Sequence, residues 1–134
     1  MRVDSDEGAM RVALEEARAA PAHGDVPVGA VALAGGEVVA RAHNERERRS
    51  DPTAHAELLA LRAASEALGT WRLGSVTIVV TLEPCSMCAG ACGSLYNLCA
   101  DPRLNHELQV TGGVLGDDAA RLVREFFAVR RGGA

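Results

Sequence analysis

Cys85 and Cys88 form a Cys-x-x-Cys pair directly after Pro84, and His55 and Glu57 stand two residues apart in a His-Ala-Glu run earlier in the chain. In a reducing compartment such a cysteine pair serves metal or redox chemistry. At the start of a helix its sulfurs lie near exposed backbone N–H groups, which favour the thiolate that binds metal. His55 adds a third ligand. Two thiolates and one imidazole are the ligand count of a catalytic zinc, which keeps its fourth position for water, whereas a structural site closes with a fourth side chain. Zinc draws the pKa of that water toward neutrality, and a neighbouring carboxylate, here Glu57, can take the proton and return it. Each motif alone has a plainer reading, as structural zinc, a redox pair or a capped helix start. Together, in this order, they point to hydrolytic zinc chemistry.

These residues need elements to hold them. Asp4, Asp6 and Glu7 give a capped, acidic start, and Met10, Ala13, Leu14 and Ala17 follow at i, i+3, i+4, i+7, which predicts an amphipathic helix ended by Pro21 and Gly24. Residues 28–34 and 37–42 read as antiparallel strands joined by Gly35-Gly36. Residues 44–50 read as a surface loop, and Asp51-Pro52 as the start of a second helix that carries Leu58, Leu61 and Leu68 and stops at Gly69. Residues 76–82 form an apolar strand suited to a central, doubly covered place in the sheet. Residues 85 to about 98 read as helical and residues 108–110 as a short parallel strand. Asp117-Asp118 opens a last helix with Ala119, Leu122, Val123 and Phe126 facing inward. Strands alternating with helices predict one domain over residues 1–134, a three-layer α/β/α fold around a central mixed sheet of about four to five strands.

Composition sets the outer bounds. A chain of 134 residues, 48% hydrophobic and 24% charged, suits one globular domain and excludes a disordered chain or a coiled-coil rod. A net charge of −4 excludes a protein that coats nucleic acid with its whole surface. Phosphate contact must therefore be local, with Arg46, Arg48, Arg49 and Arg130-Arg131 the candidates against a plain reading as solvated faces. No apolar run approaches the roughly 20 residues of a membrane span. The acidic N-terminus lacks the pattern of a signal peptide, so the expectation is a cytoplasmic protein with no membrane contact. His23 and His43 read as surface or capping groups, Met87 as core, and Cys92 and Cys99 as buried structural thiols.

Beyond the two motifs, the runs Val26-Pro-Val-Gly-Ala-Val31, Asp51-Pro-Thr-Ala-His-Ala-Glu57 and Thr81-Leu-Glu-Pro-Cys-Ser-Met-Cys-Ala-Gly-Ala91 carry a resemblance. So do Asn44, Gly93-Ser-Leu-Tyr-Asn-Leu98, Asn105-His106 and Phe126-Phe127. With them the sequence resembles, nearly end to end, the bacterial tRNA adenosine deaminases of the zinc-dependent cytidine/deoxycytidylate deaminase superfamily. The resemblance implies one Zn2+ per chain on His55, Cys85 and Cys88, with Glu57 as the catalytic proton shuttle. It implies that Asn44 hydrogen-bonds the flipped nucleoside, that Val28 lines the base pocket, and that backbone near Ala56 or Cys85 supports the site. Asn105 and Phe126 or Phe127 would touch the anticodon loop. Glu57 would deprotonate the zinc water, hydroxide would attack C6 of adenine, and inosine would remain. The implied partner is a tRNA anticodon stem-loop or other single-stranded nucleic acid, and the implied assembly a homodimer.

Two features depart from that family. Only Cys92 separates Ala91 from Gly93, where the family carries on the order of 20 more residues, enough for a helix end, a connection and a strand. Glu107 stands where the family usually has arginine. The alternatives are a deaminase of free nucleobases or nucleosides, one acting on single-stranded DNA, and an inactive zinc-stabilised scaffold.

Overall fold

The computed structural model describes residues 1–82 and 113–132. At its centre β1 (Gly29–Ala34), β2 (Glu37–His43) and β3 (Val76–Val80) form a sheet of order β2-β1-β3, antiparallel at both pairings. Gly35 and Gly36, at φ +58° and +83°, close the β1–β2 hairpin. Two consecutive positive φ angles give the tight turn whose twist matches that of the flanking strands, and glycine adopts them without strain.

The alternation of β1 sorts its side chains onto two faces. Val31 and Leu33 pack with Met10, Val12, Ala13 and Leu14 of α1 (Asp6–Ala17) and with Ala119 and Leu122 of α4 (Gly116–Gly132). Ala30 and Ala32 face the other way, toward Ala56, Ala60 and Ala64 of α3 (Ala56–Leu68). Helices therefore cover both faces, and the three-layer α/β/α arrangement is the one expected. Alanine on both sides of the α3 contact lets that helix lie close to the sheet. On the opposite face the approach is closer still: a Cβ on Gly29 would stand 1.9 Å from the Ala13 carbonyl oxygen and 2.6 Å from the Ala17 nitrogen. Only glycine admits α1 there.

Local signals set the helix ends. The Ser5 hydroxyl accepts a hydrogen bond from the Gly8 N–H at 3.0 Å and starts α1, and Gly69 at φ +68° ends α3. The first residues are fastened along β2: the Val38 N–H donates to the Met1 carbonyl at 2.8 Å, the Val3 N–H donates to the Gly36 carbonyl at 2.9 Å, and Arg2 pairs with Glu37. This extra rung covers part of a strand edge.

Several boundaries differ from expectation. The second helix starts at Ala56 with His55 as its N-cap, not at Asp51-Pro52. The Asp51 carboxylate instead accepts from the Thr53 N–H at 2.8 Å and the Thr53 hydroxyl at 2.7 Å, a local turn that competes with the helix. Within the expected loop 44–50, Arg46–Arg49 winds into one helical turn, α2, closed by Ser50 at φ +49°. The first helix ends at Ala17, and Pro21 sits inside a separate 3-10 turn, Ala20–His23. Strand β3 ends at Val80. The expected helix at 85–98, the strand at 108–110 and the Ala91 to Gly93 junction lie outside the described residues, so the parallel part of a mixed sheet does too.

Candidate active site

The ends of β1, β2, β3 and α3 converge where the catalytic residues were expected. Asn44 follows β2 directly and is buried. Its backbone N–H donates to the Val28 carbonyl at 3.0 Å, which ties it to the strand beside it. Its side-chain Nδ2 donates to the Val26 carbonyl at 3.1 Å, and its Oδ1 accepts from the Ala56 N–H at 2.9 Å. A carbonyl on one side and an N–H on the other fix which way the amide faces. Asn44 thus satisfies one of the orphan N–H groups at the start of α3, a cap supplied from a distant strand because the His55 side chain does not cap its own helix.

His55 is half-buried in extended backbone at φ −78° and ψ 149°, and its backbone is held on both sides. Its N–H donates to the Thr53 carbonyl at 2.8 Å and its carbonyl accepts from the Leu59 N–H at 3.0 Å. Glu57 lies in the first turn of α3 with 4% of its surface exposed and no hydrogen-bond partner among the described residues. A buried carboxylate without a protein partner is costly, and such groups are rare in folded proteins. The helix N-terminus offsets part of that cost. Beneath this group Val28 packs with Ala30, Ala56, Ala60 and Val80, an apolar floor. The Thr81 hydroxyl accepts from the Gly29 N–H at 3.1 Å while the Thr81 N–H donates to the Gly29 carbonyl at 3.0 Å. This pair fixes the end of β3, from which the chain leads to Cys85.

The structure therefore brings together Val28, Asn44, His55, Ala56 and Glu57. The Ala56 N–H donates to Asn44 Oδ1 in this structure. Cys85, Cys88 and Asn105 lie outside the described residues. Phe126 and Phe127 are on α4, in the helical layer opposite α3, edge to face at 5.3 Å. The Arg130 guanidinium sits over the Phe126 ring at 4.9 Å and donates to the Gly24 carbonyl at 3.0 Å, so Arg130 is anchored rather than simply solvated. Phe126 lines a largely apolar groove of about 350 Å³ with Pro21, Leu122 and Val129.

Sequence reasoning missed Thr81, the Val26 carbonyl and a polar cluster. His23 and His43, expected at the surface or in caps, are half-buried and held by carboxylates. Arg41 joins Glu16 in that cluster, and Arg48 and Arg49 both pair with Glu45. Among the described residues, the only set of three ligand-type side chains lying together is His23, His43 and Glu45, which does not include His55.

The donors His55, Cys85 and Cys88 suit zinc, and Glu57, buried beside His55 and itself without a hydrogen-bond partner among the described residues, suits a proton carrier next to it. A family model for the zinc-binding region of cytidine and deoxycytidylate deaminases matches residues 3–96. The fold and the site thus define a class, and the chain belongs to this family of zinc-binding deaminases. Within it, the tRNA-specific adenosine deaminase of Bacillus subtilis (strain 168) is 42% identical over 91% of this chain and 88% of its own. The Haemophilus influenzae protein of the same name is 38% identical over 98% of this chain and 88% of its own. The two alignments run over 142 and 152 residues, longer than the 134 of this chain, so the chain lacks residues that these relatives have. A solved structure from studies of A-to-I editing by tRNA:A34 deaminases at the wobble position of transfer RNA superposes with a TM-score of 0.79 at 35% identity. It covers 85% of this chain and 97% of that one. A guanine deaminase from Nitrosomonas europaea superposes at 0.81 with 26% identity, covering 96% and 87%.

Proposed function

We propose that the chain deaminates adenosine to inosine at the wobble position of a tRNA anticodon loop, and that Glu57 is its catalytic proton carrier. The observation that carries this reading is the Glu57 carboxylate in the first turn of α3, buried beside His55 and itself without a hydrogen-bond partner among the described residues. The two named tRNA-specific relatives support the choice of substrate.

His55, Cys85 and Cys88 would hold one catalytic zinc per chain, which supplies a water acidified toward neutrality. Glu57 accepts a proton and delivers protons to N1 of the purine and to the departing amino group, so that ammonia leaves neutral. Its burial keeps that proton from exchanging with bulk water. Asn44 has one N–H and one lone pair left after serving Val26 and Ala56, and these would meet the flipped nucleoside. Val28 forms the apolar wall against the base. Phe126 or Phe127, with Asn105, would contact splayed anticodon nucleotides, for which aromatic stacking is the usual physical means. The partner is then a tRNA anticodon stem-loop and the assembly a homodimer. Work on tRNA fits a cytoplasmic protein, and no helix among the described residues is long and apolar enough to cross a membrane.

The test is inosine formation in a stem-loop carrying a wobble adenosine, beside free adenosine, guanine, cytidine and single-stranded DNA, with zinc quantified in each preparation. The stem-loop is expected to turn over fastest. Glu57→Gln is expected to lose about 100-fold or more of that rate while keeping its fold and zinc. Turnover of free guanine or cytidine alone would replace the reading with a free-base deaminase. No turnover in the parent at full zinc would leave a scaffold.

A further inference from the structure

The cluster beside the active site has its own geometry. His23 closes the 3-10 turn Ala20–His23, and His43 is the last residue of β2. The His23 Nδ1 lies 2.6 Å from Asp25 Oδ2, and the His43 Nδ1 lies 2.8 Å from Glu16 Oε1. Burial pushes both carboxyls up, but hydrogen bonds outweigh it and hold them below the usual carboxylate range, from His43 and Arg41 on Glu16 and from the Glu47 N–H and His23 on Asp25. An ionised carboxylate only accepts, so each Nδ1 carries a hydrogen. Each Nε2 of a neutral ring then presents a lone pair, and the two Nε2 atoms face one another at 3.2 Å.

Two lone pairs at that distance repel unless a cation lies between them. That cation is either one shared proton or a metal ion. Bonds of about 2.0–2.1 Å in a tetrahedral zinc site separate neighbouring nitrogens by about 3.3–3.4 Å, close to what the histidines already show. A third donor is near: Glu45 Oε1 is 4.0 Å from His43 Nε2, and all three ligand atoms lie within 4.8 Å of one another. Histidines whose Nδ1–H is held by a carboxylate while Nε2 points inward are the usual form of a metal-ligating histidine, because the carboxylate fixes the ring and raises its basicity.

We propose that His23, His43 and Glu45 form a second metal site, apart from the deaminase centre, that binds one borderline first-row dication of the Zn2+ kind. Imidazole with carboxylate suits such ions better than calcium or magnesium, which take oxygen ligands throughout. The charges nearby agree. Asp25, Glu45 and Glu16 have side chains only 2%, 13% and 17% exposed, whereas Arg48 and Arg49, which pair with Glu45, are 59% and 52% exposed. Solvent screens the arginines more than the carboxylates, and among the described residues only Arg41, on Glu16, is a half-buried cation. A groove of about 270 Å³ lined by Glu16, His43 and Glu45, and also by Arg41, Arg49 and Arg62, runs beside the cluster. Filling the site would tie the 3-10 turn to the end of β2, one residue before Asn44.

The test titrates Zn2+ alone into protein that already holds its catalytic zinc, by calorimetry and elemental analysis. The parent is expected to bind a second equivalent. His23→Gln is expected to bind one in total, and Glu16→Gln to weaken the second by about tenfold. Loading with Co2+ separates the sites chemically: the equivalent at Cys85 and Cys88 gives thiolate charge-transfer absorption, and the other does not. Should a variant fail to fold, nitrogen NMR of the parent decides, since Zn2+ should shift the Nε2 signals of His23 and His43 and leave Nδ1 protonated. No second equivalent in the parent, or a second equivalent that survives His23→Gln, would overturn the proposal in favour of a shared proton or of other ligands.

Discussion

Replacing Asn44 by alanine tests whether the first turn of α3 is held from outside the helix. The substitution removes two hydrogen bonds and strands their partners, the Val26 carbonyl and the Ala56 N–H, in an interior where Asn44 itself is 8% exposed. Each buried group left unsatisfied costs about 1–3 kcal/mol, and the freed side chain returns about 1 kcal/mol of entropy. The net loss should be about 1–5 kcal/mol, within the 5–15 kcal/mol over which domains of this kind remain folded. At about 3–5 °C per kcal/mol for a domain of this size, Tm should fall by roughly 3–25 °C. Urea denaturation should show a lower midpoint at unchanged m, and hydrogen exchange should speed most at the Ala56 amide. Asn44→Asp keeps the acceptor for Ala56 and adds favourable charge at the helix start, yet sets an oxygen against the Val26 carbonyl, so its loss should be intermediate. A variant Asn44→Ala within about 0.5 kcal/mol of the parent, with Ala56 exchange unchanged, would refute the cap and leave Asn44 only a ligand contact.

Two further expectations come from the scaffold. Gly29→Ala places its methyl against the Ala13 carbonyl and the Ala17 nitrogen, backbone that no rotamer change can move, so it should cost about 3 kcal/mol or leave the protein unfolded. Gly35→Ala, with open space but φ +58°, should cost only about 1 kcal/mol, and equal losses in a denaturant series would contradict the close approach of α1. Hydrogen bonds from the Thr53 hydroxyl and N–H lower the Asp51 carboxyl below its usual value of 3.8. Since the folded value is the lower one, the turn's contribution is present above about pH 4 and disappears as pH falls through the folded midpoint. Carboxyl NMR should find that midpoint depressed in the parent and partly returned toward the ordinary value in Thr53→Ala; equal midpoints would show that the Thr53 hydroxyl is not the cause.

Elements specified by their own residues were legible in the sequence. Ser5 with Asp6 and Glu7, the Gly35-Gly36 pair, and the alternation of β1 carry their structure locally, and His55 with Glu57 fell together because one helix start holds both. What stayed hidden depends on partners far along the chain. The start of α3 was placed too early because Asp51-Pro52 imitates a helix cap, while the working cap comes from Asn44, twelve residues before Ala56. The same holds for the histidines: nothing beside His43 in sequence announces Glu16, and His23 meets His43 only because β2 ends against the 3-10 turn. The Ala20–His23 turn was hidden for a related reason, since Pro21 signals a stop as readily as the start of a new turn.

The strip of backbone that fastens Met1 and Val3 to β2 decides what can be attached to this protein. It grips the strand at Val38 and Gly36, whereas Asn44 follows the other end of the same seven-residue strand. At about 3.3 Å per residue the two ends lie roughly 20 Å apart. A domain fused ahead of Met1 would therefore emerge away from Asn44 and the nucleoside pocket proposed beside it. A fused partner meant to present a substrate to that pocket faces the opposite requirement, a tether of at least about six extended residues merely to come level with it.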